Sequence, residues 1–391
     1  MRAKEKPLGL LAAWSMAVGG MIGGGMFATL GLMLQIAGPS AWFSFILAGV
    51  VAFATARSYA ALTIRSGQGG GLYRFLIDAG RTRQAGAVAL LLTAAYVLSM
   101  AVYAYTFGAY VGKVVPELHW LPGALAAGSI IVVLALNLAG AAQASLAEIL
   151  AVAIKLAGLA ALAAFGLARF EMEPFLPRGG IGPEGQAILL GSATVFMAFQ
   201  GFQLLAYDYH ELKNPKRNLF RAFDWAILTT TIVYILVAIA SVLLVGVDTI
   251  VENRETALSE MGRAALGSTG FAIMVGIAGL ATITAINATL FANARLARMV
   301  AREGNVALLG ADRAPAGLST YLIVLSVPAL VLAMFGGLEQ LIRWASFLFL
   351  VVFAGVNWIA IRQGVGSRLL AMMGMVGTIG FALALLLARL T

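Results

Sequence analysis

The stretch GGMIGGGMFATLG, residues 19–31, lies inside the first strongly apolar segment, and six of its thirteen residues are glycine. Each glycine inside a helix costs about 0.8–1 kcal/mol relative to alanine. A helix that only had to cross a bilayer would not carry that cost. Two uses of the glycines are open. Gly19 with Gly23, and Gly20 with Gly24, form overlapping G-x-x-x-G pairs, which let helices pack closely. Alternatively the helix is interrupted at the membrane midplane, where freed backbone groups hold a substrate or an ion. Irregular backbone survives at that depth only where protein buries it or a cavity takes it up. Nucleotide sites are excluded. No strand precedes the glycines, and Met26 stands where a phosphate-binding loop needs lysine.

The flanking sequence makes the setting a membrane. Of the 391 residues 61% are hydrophobic and 11% charged, against about 25% charged in a soluble domain. Eleven apolar segments can be placed, at about 8–36, 39–64, 84–112, 121–138, 145–168, 186–207, 224–247, 270–294, 318–335, 339–361 and 368–390. They run too long, and alternate too little, for the strands of a barrel. The fold class is therefore an all-α integral membrane protein. MRAKEK at residues 1–6 is expected to precede a retained first span rather than to open a signal peptide. There is no cysteine, which removes disulfides and thiol chemistry.

The net charge of +9 reflects topology, not nucleic-acid binding. With the N-terminus in the cytoplasm, seventeen of the 26 Lys and Arg fall on cytoplasmic segments and seven on outer ones. Arg57 and Lys155 lie inside spans. This bias predicts a multi-pass protein of the plasma (inner) membrane with a cytoplasmic N-terminus and an outer C-terminus.

A broken first helix predicts a second weak point five helices later. The sixth segment carries FMAFQGFQLLAYDYH, residues 196–210, with Gly201 midspan between Gln200 and Gln203. Two glutamines at that depth are costly unless they face a polar cavity. Eleven spans then divide into five, five and one. Residues 1–168 hold helices 1–5, 184–364 hold helices 6–10 as an inverted repeat, and 365–391 add helix 11. All belong to one transmembrane domain, 1–391.

Several blocks resemble the amino acid–polyamine–organocation permeases. SMAVGGMIGGGMFATLGLMLQIAGPSAW (15–42) looks like their first-helix signature. SYAALTIRSGQGGGLYRFL (58–76) is similar to their second-helix end and following loop. AFQGFQLLAYDYHELKNPKRNLFRAF (198–223) resembles their sixth helix and the N-P-[KR]-[KR]-N loop, and ATITAINATLFANARLARMVAREG (281–304) their eighth helix. The blocks recur in family order. The likeness is strongest to the proton-coupled prokaryotic branch and implies the LeuT-type fold, with broken helices 1 and 6. Two departures stand out. Most members have twelve helices, and the second-helix motif Tyr-x-Glu-Leu here reads Tyr59-Ala60-Ala61-Leu62, so a cytoplasmic gate using that carboxylate must differ.

Lys155 sits in LAEILAVAIKLAGLAAL (146–162), ten residues from the start of the fifth segment. That is roughly 15 Å along a helix, too deep for easy snorkelling. Glu148, seven residues earlier on the same face, is about 10 Å away along the axis, too far for a direct pair in a straight helix. A buried lysine can gain and lose a proton during a cycle. The resemblance implies that its ammonium occupies the place of sodium in sodium-coupled relatives, beside the carbonyls of Gly19 or Gly20 and the hydroxyls of Thr282 or Thr284.

The expected function is uptake of small or neutral amino acids with protons, by alternating access. Freed amides at Ile22, Gly23, Gly24 and Gly25 take the substrate carboxylate, aided by the positive end of the outer half-helix. Gly20 and Met21 border the same space. Carbonyls at Phe199, Gln200 and Gly201 take the amino group. Phe202 or a neighbouring aromatic is a candidate outer gate, and Tyr96 and Tyr103, seven residues apart, either line one cavity face or serve aromatic packing. Other polar residues have simpler expectations: Arg57 snorkels, Asn137 and Asn287 bond neighbouring helices, and Asp208, His210 and Glu211 sit in a solvated loop. Two histidines, His119 and His210, on opposite faces make no zinc site. No cofactor or catalytic residue is expected. An exchanger or a carrier of another small amine on the same fold is the alternative; a channel, a sensor or an enzyme fits less well.

Overall fold

The computed structural model describes residues 7–140, 145–169, 181–303 and 317–388. Arg2, Lys4, Lys6, Arg178, Arg313 and Arg389, which enter the charge bias, lie outside the described residues. So does Gly304, which ends the eighth-helix motif.

Among the described residues the chain is helical throughout, and the sole β pairing is one bridge between Leu8 and Leu212. The first apolar segment is two helices, α1 (Leu10–Met21) and α2 (Gly24–Ala37). A short 3-10 turn at Gly38–Ser40 leads into α3 (Ala41–Ser66). α3 ends where Gly67 takes a left-handed conformation and donates its N–H to Thr63. A short surface helix α4 (Gly71–Asp78) precedes α5 (Thr82–Gly112), α6 (Leu121–Leu138) and α7 (Ser145–Leu167). The sixth segment is α8 (Ile181–Phe199), continued after a break by a 3-10 segment, Phe202–Glu211. Pro215 starts α9 (Pro215–Leu244), using the first-turn position where a missing N–H costs nothing. After the small α10 (Val247–Glu252) come α11 (Ala257–Arg302), α12 (Leu318–Phe335), α13 (Leu338–Gln363) and α14 (Arg368–Leu387).

Among the described residues, ten helical stretches are long and apolar enough to cross a membrane. One of them, Gly24–Ser66, joins α2 to α3 and spans 43 residues, while α1 alone is shorter than a span. A count of eleven therefore rests on taking α1 with α2 as one interrupted crossing. The expected eighth segment, 270–294, is the inner part of a 46-residue α11 that bends at Leu266 and Gly267, where φ is −136° and +63°.

The two interrupted segments sit at the centre. α1 packs on α7, α9 and the 3-10 segment, and α2 packs on α5 and α8. In the crossing that contains α8, 78% of the most apolar stretch is buried, against 22% in α6 and 28% in α14. The peripheral helices expose Ile131, Val132, Val376 and Leu383 instead, as lipid-facing surfaces do.

Candidate substrate and proton site

α1 stops at Met21 because Ile22 (ψ +46°) and Gly23 (ψ −135°) leave the helical region, and α2 restarts at Gly24. The break strips the first amides of α2, and the last carbonyls of α1, of intrahelical partners. The Ile22 N–H is not free; it donates to Val18 O at 2.6 Å. The amides freed by the break therefore begin at the buried Gly23. The glycines serve close packing, and the helix is also interrupted among them. A Cβ on Gly23 would lie 2.6 Å from the Ala285 methyl of α11, and one on Gly25 2.8 Å from Ala198 Cα of α8. Gly24 sits flush against the Tyr103 ring of α5.

The second break follows Phe199. Gly201 adopts φ +129°, a conformation that side-chain-bearing residues rarely take. The two breaks touch: a Cβ on Gly20 would lie 2.8 Å from the Gly201 carbonyl oxygen. The Gly201 N–H donates to Gln203 Oε1 at 2.8 Å, Gln203 Nε2 donates to Gln200 Oε1 at 3.2 Å, and Gln200 Nε2 donates to the Tyr103 hydroxyl. The glutamines thus meet their cost by pairing with each other and with freed backbone.

Tyr234, midway along α9, was not singled out by the sequence. Its hydroxyl lies 2.7 Å from Met21 O and 3.0 Å from Ala198 O, one carbonyl from each interrupted helix. One O–H proton serves two acceptors, so it is shared or alternates. A signal was present: membrane tyrosines concentrate at the interfaces, and Tyr234 is midspan in segment 224–247.

Lys155 is 1% exposed on the face of α7 that also carries Val152 and Leu159. Its Nζ lies 3.4 Å from Gly19 O and 3.3 Å from Thr284 Oγ1. Of the two expected hydroxyls, Thr284 is the one that meets it. Thr282 donates back to Ala278 O and Gly279 O. Of the two expected carbonyls, Gly19 is the partner, and Gly20 faces Gly201.

The remaining candidates fall as follows. Phe199 packs edge-on against Tyr234 with ring centres 5.4 Å apart. Tyr96 is fully buried, with its ring packed edge-on against Phe349. Phe202 packs against Tyr59, Phe223 and Phe353, at the end of the bundle where α3 finishes and α9 begins, the end that the expected topology turns to the cytoplasm. Arg57 does not snorkel freely either: its Nη1 pairs with Asp224 Oδ2 at 2.8 Å. Asn137 does bond its neighbour, donating to Asn287 Oδ1 at 2.7 Å.

The loop groups are more ordered than a solvated loop requires. Arg295 of α11 donates to Asp208 Oδ1 at 2.7 Å and to Tyr207 O at 3.1 Å. The Leu8 N–H donates to Glu211 O at 2.7 Å, and the Lys213 N–H to Leu8 O at 2.8 Å, fastening the entry to α1 onto the end of the 3-10 segment. Two cavities lie on opposite sides of the breaks. One of about 660 Å³ is bordered by Lys113, His119, Trp120 and Arg254, and one of about 410 Å³ by Gln68, Tyr207, His210 and Arg295.

Membrane-length helices enclosing two abutting backbone interruptions have the construction of a membrane transport protein. The chain belongs to the amino acid permease family, whose sequence profile, described as "Amino acid permease", matches residues 8–390. It is 28% identical to an uncharacterized protein of Methanocaldococcus jannaschii, over 99% of this chain and 90% of that one. It is 31% identical to the inner membrane transport protein YbaT of Escherichia coli, over 74% of this chain and 67% of that one. Similarity extends to the large neutral amino acids transporter small subunit 2 of Mus musculus, 28% identical over 78% of this chain and 60% of that one. The protein is accordingly a multi-pass membrane amino acid transporter.

Proposed function

We propose that this protein is a proton-coupled symporter of small or neutral amino acids, working by alternating access in the plasma membrane. In this reading α1 with α2 forms one crossing. Eleven crossings are arranged as two inverted sets of five plus α14, with the N-terminus in the cytoplasm. The observation that carries the reading is the seat of Lys155 Nζ, between Gly19 O at the end of α1 and Thr284 Oγ1 on α11.

A protonated ammonium there donates two charge-assisted hydrogen bonds, which are roughly twice as strong as neutral ones. It pins the end of α1 against α7 and α11. When the proton leaves, the amine loses that strength and α1 is released to tilt. Substrate binding is placed at the abutting breaks. The amides of Gly23, Gly24 and Gly25, at the positive end of α2, take the carboxylate. The carbonyls of Gly20, Phe199 and Gln200 take the ammonium. Met21 and Ile22 shape the turn between them, while Gly201 and Phe202 form the opposite wall and Tyr96 flanks it. The interrupted stretches themselves, residues 19–25 and 199–203, contain no Asp or Glu, which disfavours cationic substrates. The name of the mouse relative supports a neutral side chain.

The test is a substrate screen in proteoliposomes with an inward proton gradient, with and without sodium. Neutral amino acids should accumulate without sodium and compete with one another. Accumulation that requires sodium, or that favours lysine or arginine, contradicts the proposal.

A further inference from the structure

Glu148 is a largely buried carboxylate that the scheme above does not use. It lies on the same face of α7 as Lys155, one turn beyond Val152, and both charged groups border the same residue of α1. Lys155 Nζ is 3.4 Å from the Gly19 carbonyl oxygen. Glu148 Oε1 is 3.5 Å from the point where a Gly19 side chain would begin, and Val152 Cγ2 is 3.0 Å from that point. Gly19 is thus the residue that both groups border, with Val152 of the same α7 face packed against it. Among the described residues Glu148 makes no salt bridge, although the chain forms eight elsewhere.

We propose that Glu148 is the group that receives the proton of Lys155 on its way to the cytoplasm. The proposal rests on the proton-coupled reading. An N–H bond of the Lys155 ammonium breaks and an O–H bond forms on the Glu148 carboxylate, through one water bridging the space beside Gly19. The ammonium becomes a neutral amine and the carboxylate a neutral acid. The acid then passes its proton to cytoplasmic water and recovers its charge. No oxidation takes place, and no co-reactant but water is needed.

The surrounding charges act on Glu148 in opposite senses. The Lys155 ammonium attracts the Glu148 carboxylate, and the Asp208 carboxylate in the 3-10 segment repels it. Asp208 is itself held by Arg295 of α11. The residues of α1 carry no charge. α9 contributes exposed Lys216, Arg217 and Arg221 in its first turns, and Asp224, which is tied to Arg57. Lys155 is thus the one cation that shares a helix face with Glu148, and Asp208 the acid on its far side.

The experiment compares the native protein, Glu148→Gln, Glu148→Asp and Lys155→Ala in proteoliposomes. The probe is a radiolabelled mixture of the standard amino acids. Net uptake under an inward proton gradient is measured beside counterflow at equal pH. Counterflow needs only the loaded, protonated carrier to reorient, whereas net uptake needs the proton to leave. Glu148→Gln should lower net uptake at least tenfold and keep counterflow within twofold of native. Glu148→Asp should restore part of the loss. Raising the lumenal pH should also restore part of it, since hydroxide then takes the Lys155 proton directly, a response that a merely structural role would not give. If Glu148→Gln accumulates substrate like the native protein while Lys155→Ala does not, the role of Glu148 is wrong and the lysine reading stands. If Glu148→Gln loses counterflow together with net uptake, the residue serves reorientation or folding and the relay is also overturned. If Lys155→Ala accumulates normally as well, the proton-coupled reading itself fails.

Discussion

The hydroxyl of Tyr234 on α9 lies 2.7 Å from the carbonyl oxygen of Met21, the last residue of α1, and 3.0 Å from Ala198 O near the end of α8. One side chain therefore joins the two interrupted helices. Tyr234→Phe keeps the ring, and with it the packing on Phe45 and Phe199, but removes the proton from both acceptors. Leaving buried carbonyls unsatisfied costs about 1–3 kcal/mol. The variant should melt at a lower temperature in detergent and transport more slowly, with protein still present in the membrane. Thermal unfolding and initial uptake rates check this; unchanged values of both would show that the bridge is not formed.

The contact between Gly20 and Gly201 is the least tolerant in the site. An alanine at Gly20 drives its Cβ to 2.8 Å from a backbone carbonyl, and neither backbone can yield without moving a helix. An alanine at Gly201 must also hold φ +129°, a strain of about 1–3 kcal/mol. Both should abolish uptake. Gly128→Ala in α6 is the control, since a Cβ there meets nothing within 4 Å, and it should leave transport intact. Uptake and melting of the three variants decide the matter.

Arg57 and Asp224 make an ion pair inside membrane-length helices, with side chains 38% and 32% exposed. Removing one partner leaves a lone charge at membrane depth, which is costly. Arg57→Leu or Asp224→Leu alone should therefore destabilise more than the double variant. A double-mutant cycle on melting temperature tests this; additive losses would show that the two groups act independently.

The broken first helix, its partner at Gly201 and the buried lysine were legible because each violates a cost: glycine in a helix, amides at membrane depth, a cation in a span. Asp224 was hidden because it falls at the first position of the placed segment 224–247, where an acid needs no partner. Its partner is 167 residues away in sequence. The surroundings of Phe202 were not legible because Gly201 turns the chain from α helix into a 3-10 segment, so helical spacing no longer tells which way a side chain points. Thr284 and Thr282 are two residues apart, and only packing of α11 on α7 selects which one meets the lysine. The bend at Leu266 and Gly267 left no mark on hydropathy, so the long outer turns of α11 read as loop.

The proposed mechanism turns on Lys155, and one measurement addresses it directly. Native protein and Lys155→Ala are reconstituted at equal density, and uptake of a neutral amino acid is followed with and without an inward proton gradient, in sodium-free buffer. The native protein should concentrate substrate only when the gradient is present, and the alanine variant should at most equilibrate it, at a rate indifferent to the gradient. Gradient-driven accumulation by Lys155→Ala equal to that of the native protein would contradict the account.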